Sequence, residues 1–273
     1  MKVALVGCGA IGTVLAKAID KKRAGKVKLS LVYDLKLEKS KALVKKLKLK
    51  PKIAKGAAEI YADRTVDLVI EAASQQAVRQ YSIDVLRSGK DLMVMSVGAF
   101  ADKKLLKNVK KIANLKGCRV YVPSGAVLGI DGVKAAELGG IREVVLTTRK
   151  APSALAYSEY MKKRRACLKD LKFPKTVFDG PAMTAVKAFP ASVNVAATLS
   201  LAGIGFGRTR VRVIADPTIK RNIHEIRVKG KSGEFVTEAR NVPFPESRRT
   251  SYLAALSAIR TLRNLSETVR VGT

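Results

Sequence analysis

The hexapeptide Gly7-Cys8-Gly9-Ala10-Ile11-Gly12 follows the apolar run Val3 to Val6 and leads into Ile11, Val14, Leu15 and Ala18, which recur at helical spacing. A GxGxxG turn between a strand and a helix admits few folds. The first glycine permits the tight turn, the second lets a phosphate approach the backbone, and the third lets the helix pack on the strand. Unpaired N–H groups and the positive end of the helix dipole then favour an anion at that turn. Such a site also needs an acidic residue about 20 residues on, at the end of the second strand, to hold ribose hydroxyls, and Asp34 stands there. Gly7, Gly9, Ala10, Ile11, Gly12 and Asp34 are therefore candidate contacts for a dinucleotide. The Asp34 carboxylate favours NAD because it would repel a 2′-phosphate. Lys36, two residues on, could offset that repulsion and leaves NADP open, although it also reads as one of many surface lysines.

Beyond this turn, strands are expected at Leu29 to Tyr33, Leu68 to Glu71, Leu92 to Met95 and Arg119 to Val122, with helical faces such as Ala77, Tyr81 and Val85 between them. That rhythm predicts a parallel sheet covered by helices. After about residue 140 the pattern turns to alternation, with strands expected at Glu143 to Thr148, Arg210 to Ala215, Ile223 to Val228 and Glu234 to Arg240. Gly230-Lys231-Ser232-Gly233 joins the last two as a hairpin, and Asp216-Pro217 breaks the chain before them. From Thr250 to Leu265 the period is helical again, with Tyr252, Leu256, Ile259 and Leu262 on one face behind Thr250 or Ser251 as cap. The fold class is α/β. A Rossmann domain over residues 1–122 precedes a second α/β domain over 123–245 with a largely antiparallel sheet, and a helix lies within the last stretch, about 246–273.

Composition narrows the partners. With 53 Lys and Arg against 22 Asp and Glu, the net charge is +31, which raises the question of nucleic acid. Aromatic stacking residues are scarce, and runs such as Lys21-Lys22-Arg23 and Lys162-Lys163-Arg164-Arg165 read as solvated faces. Steering of an anionic substrate and cofactor accounts for the charge without specific nucleic-acid binding. The segment Ala188 to Gly207 is uncharged, yet Pro190, Asn194, Thr198 and Ser200 mark it as a soluble, site-lining stretch rather than a membrane span. The short run before Gly7 reads as a first strand, not a signal peptide. Cys8, Cys118 and Cys167 form no CxxC pair, so neither disulfide framework nor metal site is indicated, and a reducing cytoplasm fits.

Three short stretches fall where strand ends of an open parallel sheet meet a ligand: Ala73-Ser74 within Glu71 to Val78, Ser96 to Phe100, and Ser124-Gly125-Ala126. His224, the only histidine, shares a strand face with Ile226 and Val228 opposite Glu225 and Arg227, so it points inward. It is either a hydrogen-bonded core residue or the group that moves a proton near neutral pH. A lysine with a depressed pKa could do the same work.

These residues, with Leu146 to Lys150, Phe189 to Gly203, Asn222-Ile223-His224-Glu225 and Asn241 to Leu256, resemble the archaeal and bacterial L-aspartate dehydrogenases along nearly the whole chain. Asn194 to Leu199 and Asn222 to Glu225 are the specific stretches. The resemblance implies NAD(P)-dependent oxidation of L-aspartate to iminosuccinate, then oxaloacetate and ammonium, reversibly, in a cytoplasmic homodimer that feeds NAD biosynthesis. It places the catalytic role on His224, cofactor contacts at the glycine turn, Asp34, Ala126 and Asn194, and the C-terminal helix back toward the first domain; Ala73 and Ser74 are cofactor candidates from their strand-end position. Ser124, Asn194, Thr198 and His224 become the candidates for substrate. Gly132 stands where the family would have alanine, and the basicity is not a family trait. A dehydrogenase resembling homoserine dehydrogenase, or a basic cofactor-sensing protein that binds nucleic acid, are the alternatives.

Overall fold

A computed structural model describes residues 1–156, 158–163, 168, 170–190, 194–244, 247–269 and 271–272. Cys167, Arg164 and Arg165 lie outside the described residues. The chain divides into two compact units, Met1–Pro123 with Ala255–Val271, and Ser124–Ala254.

In the first unit β1 (Lys2–Val6), α1 (Ala10–Asp20), β2 (Lys28–Tyr33), α2 (Leu37–Lys45), β3 (Lys52–Ile53), α3 (Ala57–Ala62), β4 (Leu68–Glu71), α4 (Gln75–Arg87), β5 (Asp91–Val94), α5 (Lys103–Lys116) and β6 (Val120–Tyr121) alternate. The strands pair in parallel in the order β3-β2-β1-β4-β5-β6. This is the order of a doubly wound dinucleotide-binding sheet, with its crossover beside β1. Central strands buried on both faces need continuous apolar runs, and Val3 to Val6 and Leu68 to Ile70 supply them. β6 covers only two of the four residues expected, and the two-residue β3 at the opposite edge carried too little pattern to be foreseen.

The second unit contains α6 (Ile130–Gly139), β7 (Ile141–Lys150), α7 (Pro152–Leu155), α8 (Glu159–Lys163), β8 (Lys175–Pro181), α9 (Ala182–Ala188), α10 (Asn194–Ala202), β9 (Arg210–Ala215), β10 (Asn222–Gly230), β11 (Gly233–Asn241) and the small ladder of β12 (Pro243–Phe244) with β13 (Ser247–Ser251). Its main sheet runs β11-β10-β7-β9-β8, antiparallel except for the β7·β9 pair. The hairpin stands where expected, with Gly230 opposite Gly233, whose φ of +123° is open to glycine alone. One face of the sheet is apolar: Val144 and Leu146 on β7, Ile226 and Val228 on β10, and Val211 and Val213 on β9 are all buried.

The final helix, α11 (Tyr252–Asn264), begins directly after Ser251. Its buried stripe is Ala255, Ala258 and Leu262, with Ile259 beside them, and Ala258 and Leu262 join the core around Leu15 and Ile19. Tyr252 and Leu256 are exposed instead, at 42 % and 40 %. The expected face holds at Ile259 and Leu262 and fails at Tyr252 and Leu256, where small alanines at 255 and 258, not the bulkiest side chains, let the helix approach its neighbours. Lys21, Lys22 and Arg23 are solvent-exposed in the turn after α1.

Candidate active site

In the first unit the glycine turn builds a cradle. Gly7 has a φ of +99°, and a Cβ there would press to 2.7 Å on the backbone of Ala72 and Ala73. A Cβ on Gly12 would run into the Gly7 carbonyl oxygen. At Gly9 a Cβ would meet nothing within 4 Å, so this position opens onto free space above α1. The three glycines thus divide the roles expected of them into turn, approach and packing. Gly9 is also the N-cap of α1, with no side-chain cap and no acidic residue in the first turn, which leaves the positive helix end to a ligand. Ala10 and Ile11 belong to that first turn. A dinucleotide pyrophosphate fits this cradle.

Beside it lies a groove of about 300 Å³ whose walls include Gly9, Asp34, Lys36, Lys39, Ala73 and Ser74. Asp34 is aimed by two backbone donors, Cys8 N–H at 2.9 Å to Oδ2 and Lys36 N–H at 2.9 Å to Oδ1. The glycine turn and the acidic residue are therefore fixed to each other by the fold. Lys36 is exposed, as a surface lysine should be, but with Lys39 it also borders the groove.

Glu71 is the residue the sequence reading missed. It ends β4 at 3 % exposure, and its Oε1 accepts from Ala73 N–H at 2.7 Å, Ser74 N–H at 2.9 Å and Ser96 Oγ at 2.9 Å. Oε2 accepts from Ser96 N–H at 3.0 Å. Burial pushes its carboxyl above the usual range, against the pull of those donors. One side chain thus ties together the turns after β4 and β5, and an acid closing an apolar strand before Ala-Ala-Ser was the available signal. Glu71→Gln turns one of the two oxygens into a donor facing a donor. We expect a loss of about 1–3 kcal/mol in thermal stability with weakened NADH binding, read by melting curves and fluorescence titration.

The second unit carries the candidates for proton transfer. His224 is 3 % exposed on β10, and its Nδ1 lies 3.0 Å from Thr148 Oγ1 on β7, the residue directly opposite in register. With Nδ1–H donating to Thr148, the Nε2 lone pair is free to take a proton. Burial first, and the nearby Lys150 charge second, lower the His224 pKa to about 3. Lys150 is itself 3 % exposed on the same sheet face, and burial lowers its pKa to about 8. Lys150 is thus a lysine of lowered pKa on the sheet face that holds His224, near enough for its charge to act on the ring.

Around this pair, Gly125 has a φ of +75° and a Cβ there would touch Val195 at 3.8 Å, so the Ser124-Gly125-Ala126 loop abuts α10. Ala126 is buried, and its carbonyl accepts from Asn241 Nδ2 at 3.0 Å. Asn194 opens α10 partly exposed, and Thr198, one turn later, is buried at 4 %. Gly132 faces Phe235 at 3.7 Å from an added Cβ, ordinary contact distance, so alanine would fit there too. Among the described residues no group of three or more His, Cys, Asp or Glu could hold a metal, and no helix is long and apolar enough to cross a membrane.

A glycine-turn Rossmann unit joined to a unit holding a buried histidine and lysine defines a pyridine-nucleotide-dependent oxidoreductase. Residues 131–265 match the family model "Aspartate dehydrogenase, C-terminal", and residues 7–123 match "Homoserine dehydrogenase, NAD binding domain". L-aspartate dehydrogenases from Methanosarcina mazei and Methanococcoides burtonii are 48% and 47% identical to this chain, each over 100% of both chains. The crystal structure of aspartate dehydrogenase from Thermotoga maritima superposes with a TM-score of 0.78 at 28% identity, covering 100% of this chain and 99% of that one. The chain belongs to the L-aspartate dehydrogenase family.

Proposed function

We infer that this chain catalyses the reversible, NAD(P)-dependent oxidation of L-aspartate to iminosuccinate, which water converts to oxaloacetate and ammonium. The observation that carries this reading is the buried Thr148–His224 pair in a chain whose full length aligns with L-aspartate dehydrogenases. A bound nicotinamide supplies the acceptor for the hydride leaving Cα. His224 acts as general base at Nε2, taking a proton from the substrate amino group or from the water that attacks the imine, and Thr148 holds the ring in place. Ser124, Asn194 and Thr198 are proposed substrate contacts, and Ala126 and Asn194 cofactor contacts near the nicotinamide. The same reading assigns residues 1–122 with the C-terminal helix to cofactor binding and 123–245 to catalysis and homodimerisation in the cytoplasm, supplying NAD biosynthesis.

Assay of NAD+ and NADP+ reduction with L-aspartate against L-homoserine and a panel of amino and hydroxy acids tests it. Turnover confined to L-aspartate is expected, and preference for L-homoserine would overturn it. The homoserine-type match covers the N-terminal residues alone, so it bears on the cofactor rather than the substrate.

For the cofactor, Asp34 supports NAD, and Lys36 and Lys39 beside it support some use of NADP. Asp34→Ser removes a carboxylate from the ribose position and leaves both lysines. We expect kcat/KM for NAD+ to fall about 10- to 100-fold, as for a lost charged hydrogen bond, while that for NADP+ rises. An unchanged ratio of the two specificity constants would sink the assignment.

A further inference from the structure

We propose that Lys150 and Asn222 together form the receptor for a carboxylate group of the substrate, beside His224. The inference rests on the aspartate reading above and adds the residues that select a dicarboxylate. On β10 the buried residues alternate as Asn222, His224, Ile226 and Val228, and on β7 as Leu146, Thr148 and Lys150, so all seven share one sheet face. The register pairs His224 with Thr148 and Ile223 with Arg149, and one further step sets Asn222 opposite Lys150. The two donor-bearing residues therefore stand on neighbouring strands of one buried face, one residue pair beyond the Thr148–His224 pair.

Both are buried, at 4 % for Asn222 and 3 % for Lys150. Asn222 Nδ2 is sealed from solvent without a hydrogen-bond partner. Lys150 has no ion-pair partner among the described residues. Asp216, which follows the strand residue paired with Lys150, gives its carboxylate to Thr218 N–H at 2.9 Å and Thr218 Oγ1 at 2.7 Å, and to Arg149 at 3.6 Å. An orphaned donor inside a protein costs about 1–3 kcal/mol, and a buried lone ammonium costs more. A fold tolerates an orphaned amide donor beside a buried ammonium without an ion-pair partner when a ligand completes them. The complement of an ammonium beside an amide N–H is a carboxylate, which accepts from both at once.

Occupation by a carboxylate has a second consequence. The Lys150 charge helps hold His224 neutral. A carboxylate seated between them offsets that charge and raises the basicity of His224 only when substrate is present.

Succinate, a dicarboxylate that cannot be oxidised at an amine, is the probe. Calorimetric titration of the wild type, Lys150→Met and Asn222→Ala in the presence of NADH measures its affinity, and thermal shift records the gain in melting temperature on adding it. Loss of one charged or buried hydrogen bond should weaken succinate binding about 10- to 100-fold in Lys150→Met, and less in Asn222→Ala, with the thermal gain shrinking in step. NADH affinity should not change, which also certifies that the variants are folded. Two folded variants that bind succinate within twofold of the wild type would overturn the receptor, as would a wild type that oxidises L-aspartate but ignores succinate. A wild type that does not oxidise L-aspartate would instead remove the functional reading beneath it.

Discussion

His224→Ala is expected to lower kcat for L-aspartate oxidation by about 100- to 10,000-fold while NADH binding stays intact, the range that general acid-base assistance contributes. The expectation follows from the position of the ring. Its Nδ1 is held 3.0 Å from Thr148 Oγ1, so the second nitrogen is free and its direction is fixed by the sheet. Asn at this position keeps a polar group that can still meet Thr148, yet has no proton-accepting nitrogen, and should fail almost as badly as Ala. A histidine that served only the core would behave differently: both variants would melt earlier, and the folded fraction would turn over at the normal rate. Melting temperature, NADH affinity and kcat measured on the same two variants separate these outcomes. A stable, NADH-binding Ala variant with wild-type kcat would falsify the catalytic role.

Much of this architecture was legible because it depends on local rules. The turn Gly7 to Gly12 has a steric reason for Gly7 and Gly12, with Gly9 left open between them, and Asp34 follows at a distance set by one helix and one strand, so both could be placed from the sequence. The inward direction of His224 followed from alternation along β10. β8 was missed for a physical reason: Lys175 to Pro181 is an edge strand, mostly exposed, and contains Gly180 and Pro181, which is how edges are kept from pairing further. Glu71 and Lys150 were not singled out because their meaning is tertiary. An acid at a strand end and one lysine among 53 basic residues look ordinary until burial shows what they face.

Burial of His224 and Lys150 should make stability fall with acid in a way that can be assigned to them. His224 has a pKa of about 3 in the folded chain against 6.5 when free, so the unfolded chain takes up a proton below pH 6.5 that the native state refuses. A lowered folded-state pKa on a base therefore gives stability that is present above pH 6.5 and lost progressively as pH falls toward 3. At about 1.4 kcal/mol per pH unit, a drop to pH 5 removes about 2 kcal/mol. Lys150 works in a higher window: at about 8 against 10.5, it gains stability as pH rises between those values and is a standing cost at neutral pH, on the order of 3 kcal/mol. Lys150→Met should thus melt later than the wild type at pH 7 when no substrate is present, the reverse of what a structural lysine would show, and the pattern of a residue kept for function. Because the Lys150 charge also depresses His224, the Met variant should lose less stability between pH 8 and pH 5 than the wild type, and His224→Asn should lose less still. Scanning calorimetry of the three proteins across that range checks each step. Equal acid losses in all three would show that neither buried group controls them.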